Sequence, residues 1–256
     1  MKYLITIPCV NREERNAVNV IDKTFQSFIK SGLFESKIPF KILLFDSGSK
    51  DLSYLDFINE FVEQKKVQIE IIKSTMPLNA ITNTFRMFLY LSKLPKNALN
   101  YVIWMDDDVF VCKNFIENAD AWLAKYGHKT LFSSLYIPYE SYPVPKSLTN
   151  YAKMGAFYGT CCTIFTPTLA KYIIPMWFDE HFQKFEYNPD ARFREILRKQ
   201  FPKVRYFLVS NISLVEHMNI GSSIYKHKNV NKGHKSRLFI GEENDPKYKE
   251  YLVANS

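Results

Sequence analysis

The chain of 256 residues is short of cysteine, short of glycine and without a long hydrophobic run, and each shortage removes a class of protein. The four cysteines, Cys9, Cys112, Cys161 and Cys162, show no paired metal-ligand spacing. Adjacent Cys161 and Cys162 suit apolar strand positions better than a disulfide framework, so a reducing, cytoplasmic setting is expected. Only 8 glycines, beside 46% hydrophobic and 16% aromatic residues, describe a folded globular chain rather than a fibrous or disordered one. The opening run Leu4 to Pro8 is too short for the apolar core of a signal peptide, and no stretch approaches the length of a membrane-spanning helix. The expectation is a soluble chain, at most peripheral at a membrane surface. No internal repeat or low-complexity tract is found, and the length fits one large domain.

What is present is positive charge, a formal net +8, which attracts nucleic acid, anionic lipid or a phosphorylated small molecule. No helix-turn-helix signature or aromatic-interleaved RNA-binding motif accompanies it, so no nucleic-acid partner is expected.

Hydrophobic periodicity alternates between strand and helix. Residues 3 to 8 read as a buried strand and Glu13 to Ser31 as a helix stopped by Gly32. Lys41 to Phe45 reads as a second strand, followed by the polar turn Asp46-Ser47-Gly48-Ser49. Leu52 to Gln64 (helix), Val67 to Ile72 (strand) and Ile81 to Ser92 (helix) lead to a fourth strand, Tyr101 to Met105, apolar on both faces as a central parallel strand should be. A helix from about Asn114, strands near Leu131 to Tyr136 and Gly159 to Phe165, a helix around Asp190 to Gln200 and a strand at Val204 to Val209 complete an α/β pattern. Ligands in such open sheets bind beyond the carboxyl ends of the strands. Pro8 to Arg12, Asp46 to Ser49 and Asp106 to Asp108 all fall there.

Asp106, Asp107 and Asp108 follow five apolar residues directly. Three adjacent carboxylates repel one another, and a cation offsets that cost. Mg²⁺ and Mn²⁺ prefer carboxylate and phosphate oxygens, so an aspartate pair at a strand end can hold a metal that bridges a diphosphate. In an extended segment Asp106 and Asp108 would face one side and Asp107 the other. The same triplet also reads as a solvated turn or helix cap.

The strand followed by Asp106-Asp107-Asp108-Val109-Phe110 resembles the Asp-x-Asp motif of glycosyltransferases with the GT-A fold. Leu4 to Arg12 resembles the opening nucleotide-binding strand of that superfamily, and Ile42 to Ser49 resembles its second strand with an Asp-x-Gly-Ser turn. The resemblance implies an α/β, GT-A type Rossmann-like single domain with a mostly parallel central sheet flanked by helices. Residues 1–112 would form the nucleotide-sugar half, 113–224 the acceptor-binding and catalytic half, and 225–256 a basic mobile tail. It implies nucleotide contacts from Pro8, Val10, Asn11, Arg12, Asp46, Asn79, Arg86, Asp106 and Asp107, with Asp106 on the ribose side, Asp108 on the metal and Asp106 a metal candidate beside it. His217-Met218-Asn219-Ile220-Gly221-Ser222-Ser223 resembles the superfamily's His-x-x-Gly-Ser-Ser stretch with one extra residue. That implies His217 as a further ligand of Mn²⁺ or Mg²⁺ and Ser222 and Ser223 as phosphate contacts. Lys226, in a lysine-rich stretch, would meet the diphosphate if the segment closes over it.

Inverting transfer needs a carboxylate to deprotonate the acceptor hydroxyl. Asp190, at a helix start, resembles the base that inverting members place there; Asp179 and Glu180 are rivals. Trp177 and Tyr187 are candidates to stack on an acceptor sugar. The expected partners are a nucleotide sugar, a UDP-sugar foremost, and a glycan or glycoconjugate acceptor. Two other classes compete. A sugar-nucleotide nucleotidyltransferase normally has a glycine-rich basic loop after its first strand, yet no glycine occurs between Ile7 and Gly32. A non-catalytic, cation-dependent glycan-binding protein could use the same acids and aromatics.

Overall fold

The computed structural model describes residues 1–65, 67–95, 98–126, 131–136, 149–154, 157, 161–185, 188–204, 206–210, 213–218, 236, 239 and 240. Ten strands run in chain order: β1 (Tyr3–Cys9), β2 (Phe40–Asp46), β3 (Ile69–Lys73), β4 (Tyr101–Met105), β5 (Val109–Val111), β6 (Phe132–Ser134), β7 (Thr149–Lys153), β8 (Cys162–Phe165), β9 (Tyr206–Ser210) and β10 (Val215–His217). The α-helices are α1 (Ile21–Lys30), α2 (Phe57–Lys65), α3 (Ala80–Ser92), α4 (Phe115–Tyr126), α5 (Leu169–Ile173) and α6 (Pro189–Gln200).

Eight strands form one sheet in the order β3-β2-β1-β4-β8-β6-β9-β7. β1 pairs in parallel with both β2 and β4, so the carboxyl ends of these three neighbours share one edge. β8 runs antiparallel to β4 and β6, and β7 antiparallel to β9; the other strands are parallel, so the sheet is mostly parallel.

Strand alternation sends apolar side chains to both faces. Ile5, Ile7, Ile42, Leu44, Ile103 and Met105 pack with α1, α2 and α4 through residues such as Phe25, Ile58 and Trp122. Leu4, Leu43, Phe45, Val102 and Trp104 pack on the opposite face with α3, α5 and α6. Phe193 of α6 stacks on Phe88 of α3 at 5.9 Å and meets the edge of Trp104 at 5.6 Å. The result is three layers, helix on sheet on helix.

The helix expected over Glu13–Ser31 is split. A short 3-10 turn at Glu13–Arg15 ends at Asn16 in the left-handed conformation (φ 58°), and α1 begins at Ile21. Asn19 Oδ1 accepts from the Arg12 amide, which holds the intervening loop against β1. β5 and β10, absent from the sequence reading, form a separate antiparallel ribbon pairing His217 with Val109 and Val215 with Val111. The tail expected to be mobile returns to the body in part: Ile240 is buried in the core, and Phe239 bridges Ser213 in parallel.

Candidate nucleotide and metal site

The triplet lies where β4 ends, and its backbone bends at Asp107 and Asp108, so the expected strand alternation does not hold. Asp107 and Asp108 converge on one cation instead of facing opposite ways. Arg12 Nη2 pairs with Asp107 Oδ1 and donates to Asp108 Oδ2 at 2.9 Å, while Nε reaches Asp107 Oδ2 at 3.4 Å. The Thr24 hydroxyl of α1 pins the bend, donating to the Asp107 carbonyl at 2.8 Å and accepting from the Val109 amide at 3.2 Å. Burial works to lower the Arg12 pKa, but the two carboxylates outweigh it and raise it. Burial raises Asp107; Arg12 opposes this and Asp108 adds to it. A single guanidinium divided between two acids does not fully offset the desolvation of Asp107.

The β5–β10 ribbon brings His217 to the same place. The Met218 amide donates to the Asp108 carbonyl at 2.9 Å, and His217 Nε2 lies 3.4 Å from Asp108 Oδ1. Thus Asp108 turns one oxygen to Arg12 and the other to His217. Asp106 is half-buried, its amide donating to the Cys161 carbonyl at 3.3 Å. Burial pushes the Cys161 thiol well up, and the charges of Asp106, Asp108 and Asp190 push it further. Cys161 therefore sits within electrostatic reach of both the triplet and the start of α6.

That separates the three base candidates. Asn188 caps α6 by accepting from the Ala191 amide at 2.8 Å, and Asp190 occupies the first turn. Asp179 lies beside Lys199 (3.4 Å), nine residues beyond Asp190 on α6, or about 13 Å along the helix axis. It also holds His181 through the backbone amide and the ring, and Glu180 is exposed at the start of a 3-10 helix. The charge of Asp190 reaches Cys161, whose carbonyl accepts from the Asp106 amide.

Several expected nucleotide contacts are occupied internally. The fully buried Asp46 accepts from the Gly48 and Ser49 amides, the Ser49 hydroxyl and the Tyr54 hydroxyl, filling its four lone-pair directions. Asn11 joins the Ser49–Asp51 loop to the Glu13 and Asn19 side of the turn. Asn79 caps α3 by accepting from the Thr82 amide. Arg86 donates to the Asp46 and Ile72 carbonyls, latching β2 to β3. Arg12 pairs with the acids through Nε and Nη2, while its buried Nη1 has no hydrogen-bond partner among the described residues. Each of these five side chains thus has a partner within the protein, and Pro8 and Val10 are half-buried at the end of β1. Trp177 is fully buried and donates Nε1–H to the Ile81 carbonyl, so it packs the core and does not face an acceptor. Ser222, Ser223, Lys226 and Tyr187 lie outside the described residues.

Among the described residues, no group of three or more His, Cys, Asp or Glu side chains gathers closely enough to hold a metal alone. The donor chemistry nonetheless suits Mn²⁺ or Mg²⁺. Such ions are commonly held by one or two carboxylates with substrate phosphates completing the shell, which needs no all-protein cage. Asp108 and His217 supply adjacent oxygen and nitrogen donors. The formal charge of the three aspartates and Arg12 is two negative, which one divalent cation would balance.

The architecture is the GT-A type fold of glycosyltransferases. By sequence, no family profile and no curated protein matches the chain. By structure, it resembles S. aureus TarS 1-349, with TM-score 0.53 and 16% identity over 86% of this chain and 61% of that one. TarS 1-349 in complex with UDP matches with TM-score 0.53 and 16% identity over 82% and 58%, so this chain spans about three fifths of those proteins. GalNAc-T7 with UDP, GalNAc and Mn²⁺ matches with TM-score 0.53 and 13% identity over 85% of this chain and 44% of that one. No helix among the described residues is long and apolar enough to cross a membrane.

Proposed function

We propose that this chain is an inverting glycosyltransferase that moves a sugar from a UDP-sugar to a glycan or glycoconjugate hydroxyl with the help of Mn²⁺ or Mg²⁺. The observation that carries the reading is Asp108 set between Arg12 and His217 at the shared carboxyl edge of β1, β2 and β4. The UDP bound to TarS and the UDP, GalNAc and Mn²⁺ bound to GalNAc-T7 favour a uridine donor and a metal in this fold.

In this reading Asp108 and His217 hold the cation and Asp106 faces the ribose. A bound cation supplies positive charge against the diphosphate as negative charge builds there. Asp190 accepts the acceptor hydroxyl's proton. That oxygen forms a bond to the anomeric carbon while the bond from the same carbon to the diphosphate oxygen breaks, its electron pair leaving with UDP. Burial of Asp107 against Arg12 keeps water from the back of the triplet and fixes the bend that aims Asp106 and Asp108.

Assay of a UDP-sugar panel with Mn²⁺ tests this: at least one should be hydrolysed slowly, or transferred when an acceptor is present. Asp190→Asn should lower turnover about a hundredfold or more while UDP affinity changes little, as loss of a general base does. UDP binding with no turnover of any sugar nucleotide would favour a non-catalytic glycan-binding protein. An active Asp190→Asn would remove that residue from the chemistry.

A further inference from the structure

Among the described residues β10, three residues long, pairs as a strand with the three residues of β5, and Leu214 just before it exchanges backbone hydrogen bonds with Cys112 and Leu135. A two-stranded ribbon of that size is marginal by itself; buried Val215 and the Met218–Asp108 backbone hydrogen bond steady it on the core side, and another anchor would hold His217 beside Asp108 more firmly. The described residues supply one on the ribbon's other face. Glu216 precedes His217, and neighbouring strand residues point to opposite sides. Both of its carboxylate oxygens are held by Ser236: the amide donates to Oε1 at 2.8 Å and the hydroxyl donates to Oε2. Three residues later Phe239 bridges Ser213, and the Ile240 amide reaches the Ser213 carbonyl at 3.4 Å. The side chain of Ile240 is 1% exposed within the core.

We propose that Ser236, Phe239 and Ile240 form a clasp that positions the donor site: Ser236 grips Glu216, Ile240 anchors the segment in the core, and together they hold His217 at Asp108. Glu216 is a positioning residue, acting through His217 and touching neither donor nor metal. The inference rests on the proposed function, in which Asp108 and His217 hold the cation. It assigns the C-terminal segment a part in metal affinity that its distance in sequence from the triplet conceals.

The test is Mn²⁺ binding in the presence of UDP, followed by the electron paramagnetic resonance of free Mn²⁺, for the wild-type chain, Glu216→Ala, Glu216→Gln, His217→Ala and the Glu216→Ala/His217→Ala pair. Glu216→Ala should weaken Mn²⁺ binding about tenfold, the scale of losing an outer-shell partner. Glu216→Gln, which still accepts from Ser236, should recover most of it. In the His217→Ala background Glu216→Ala should add nothing, because the effect runs through His217. Amide hydrogen exchange over residues 213–218 without metal should quicken in Glu216→Ala and not in Glu216→Gln. Wild-type-like Mn²⁺ binding or unchanged exchange in Glu216→Ala would overturn the clasp alone, as would independent, additive effects of the two alanine substitutions. A wild-type chain that binds no Mn²⁺ with UDP would overturn the metal reading as well.

Discussion

In the unfolded chain Arg12 is one of 34 lysines and arginines; folding takes it out of water and sets it between Asp107 and Asp108. Removing one partner from such a buried group strands the others, which is why these three behave as a unit and not as separate contacts. Asp179 shows the opposite regime. It is solvent-accessible, and hydrogen bonds from the His181 amide and then the His181 ring, with help from Lys199, lower its pKa from the ordinary 3.8 to about 2. A lowered acid favours the folded state above the unfolded pKa and loses that advantage as pH falls through the folded one. Between about pH 5 and pH 2 the wild-type chain should therefore lose more thermal stability than Asp179→Asn, as calorimetry at several pH values would show; equal losses would contradict the assignment. The acids of the site were legible in the sequence because a run of aspartates after an apolar strand is costly without a cation. The internal hydrogen bonds of Asn11, Arg12, Asp46, Asn79 and Arg86 were not. A polar residue at a strand end serves a ligand or the fold according to which backbone groups need partners, and that is decided by distant segments.

Among elements, the turn after β2 carries the tightest steric demand. Gly48 has φ 86°, and a Cβ there would lie 2.1 Å from the Met76 carbonyl oxygen. Both the left-handed backbone and the close approach require glycine. Gly48→Ala should cost at least about 2 kcal/mol in denaturant unfolding and displace the Met76 loop; a neutral substitution would show that the loop moves freely. β1, β2 and β4 were readable because central strands covered on both faces give continuous apolar runs, and β4 has the expected bounds of Tyr101–Met105. β5 and β10 were not, because three-residue strands have no period of their own and are created by each other across the chain. The split before α1 escaped notice for a related reason. Val18 fits the helical spacing of Ile21 and Phe25, yet it is 62% exposed because Asn16 turns the chain before the helix starts.

At the scale of the molecule, three layers leave the carboxyl ends of β1, β2 and β4 on one edge of a mostly parallel sheet, and three separate segments meet there: the end of β1, the triplet and the β5–β10 ribbon. The fold class was visible in the alternation of strand and helix, while the approach of His217 to the triplet depends on a strand pairing remote in sequence. The net +8 of the chain coexists with a locally acidic site, as expected if general attraction to anions is combined with a specific place for a cation. If Asp108 ties a metal to a uridine nucleotide, thermal unfolding with UDP, with Mn²⁺ and with both will show it. Ligand at a hundred times its dissociation constant adds about 2.7 kcal/mol, a rise in Tm of roughly 5–10 °C for a chain of this size. The account predicts that rise for UDP with Mn²⁺ together, a much smaller one for UDP alone, and loss of the difference in Asp108→Asn; an equal rise with and without Mn²⁺, or an undiminished metal effect in Asp108→Asn, would contradict it.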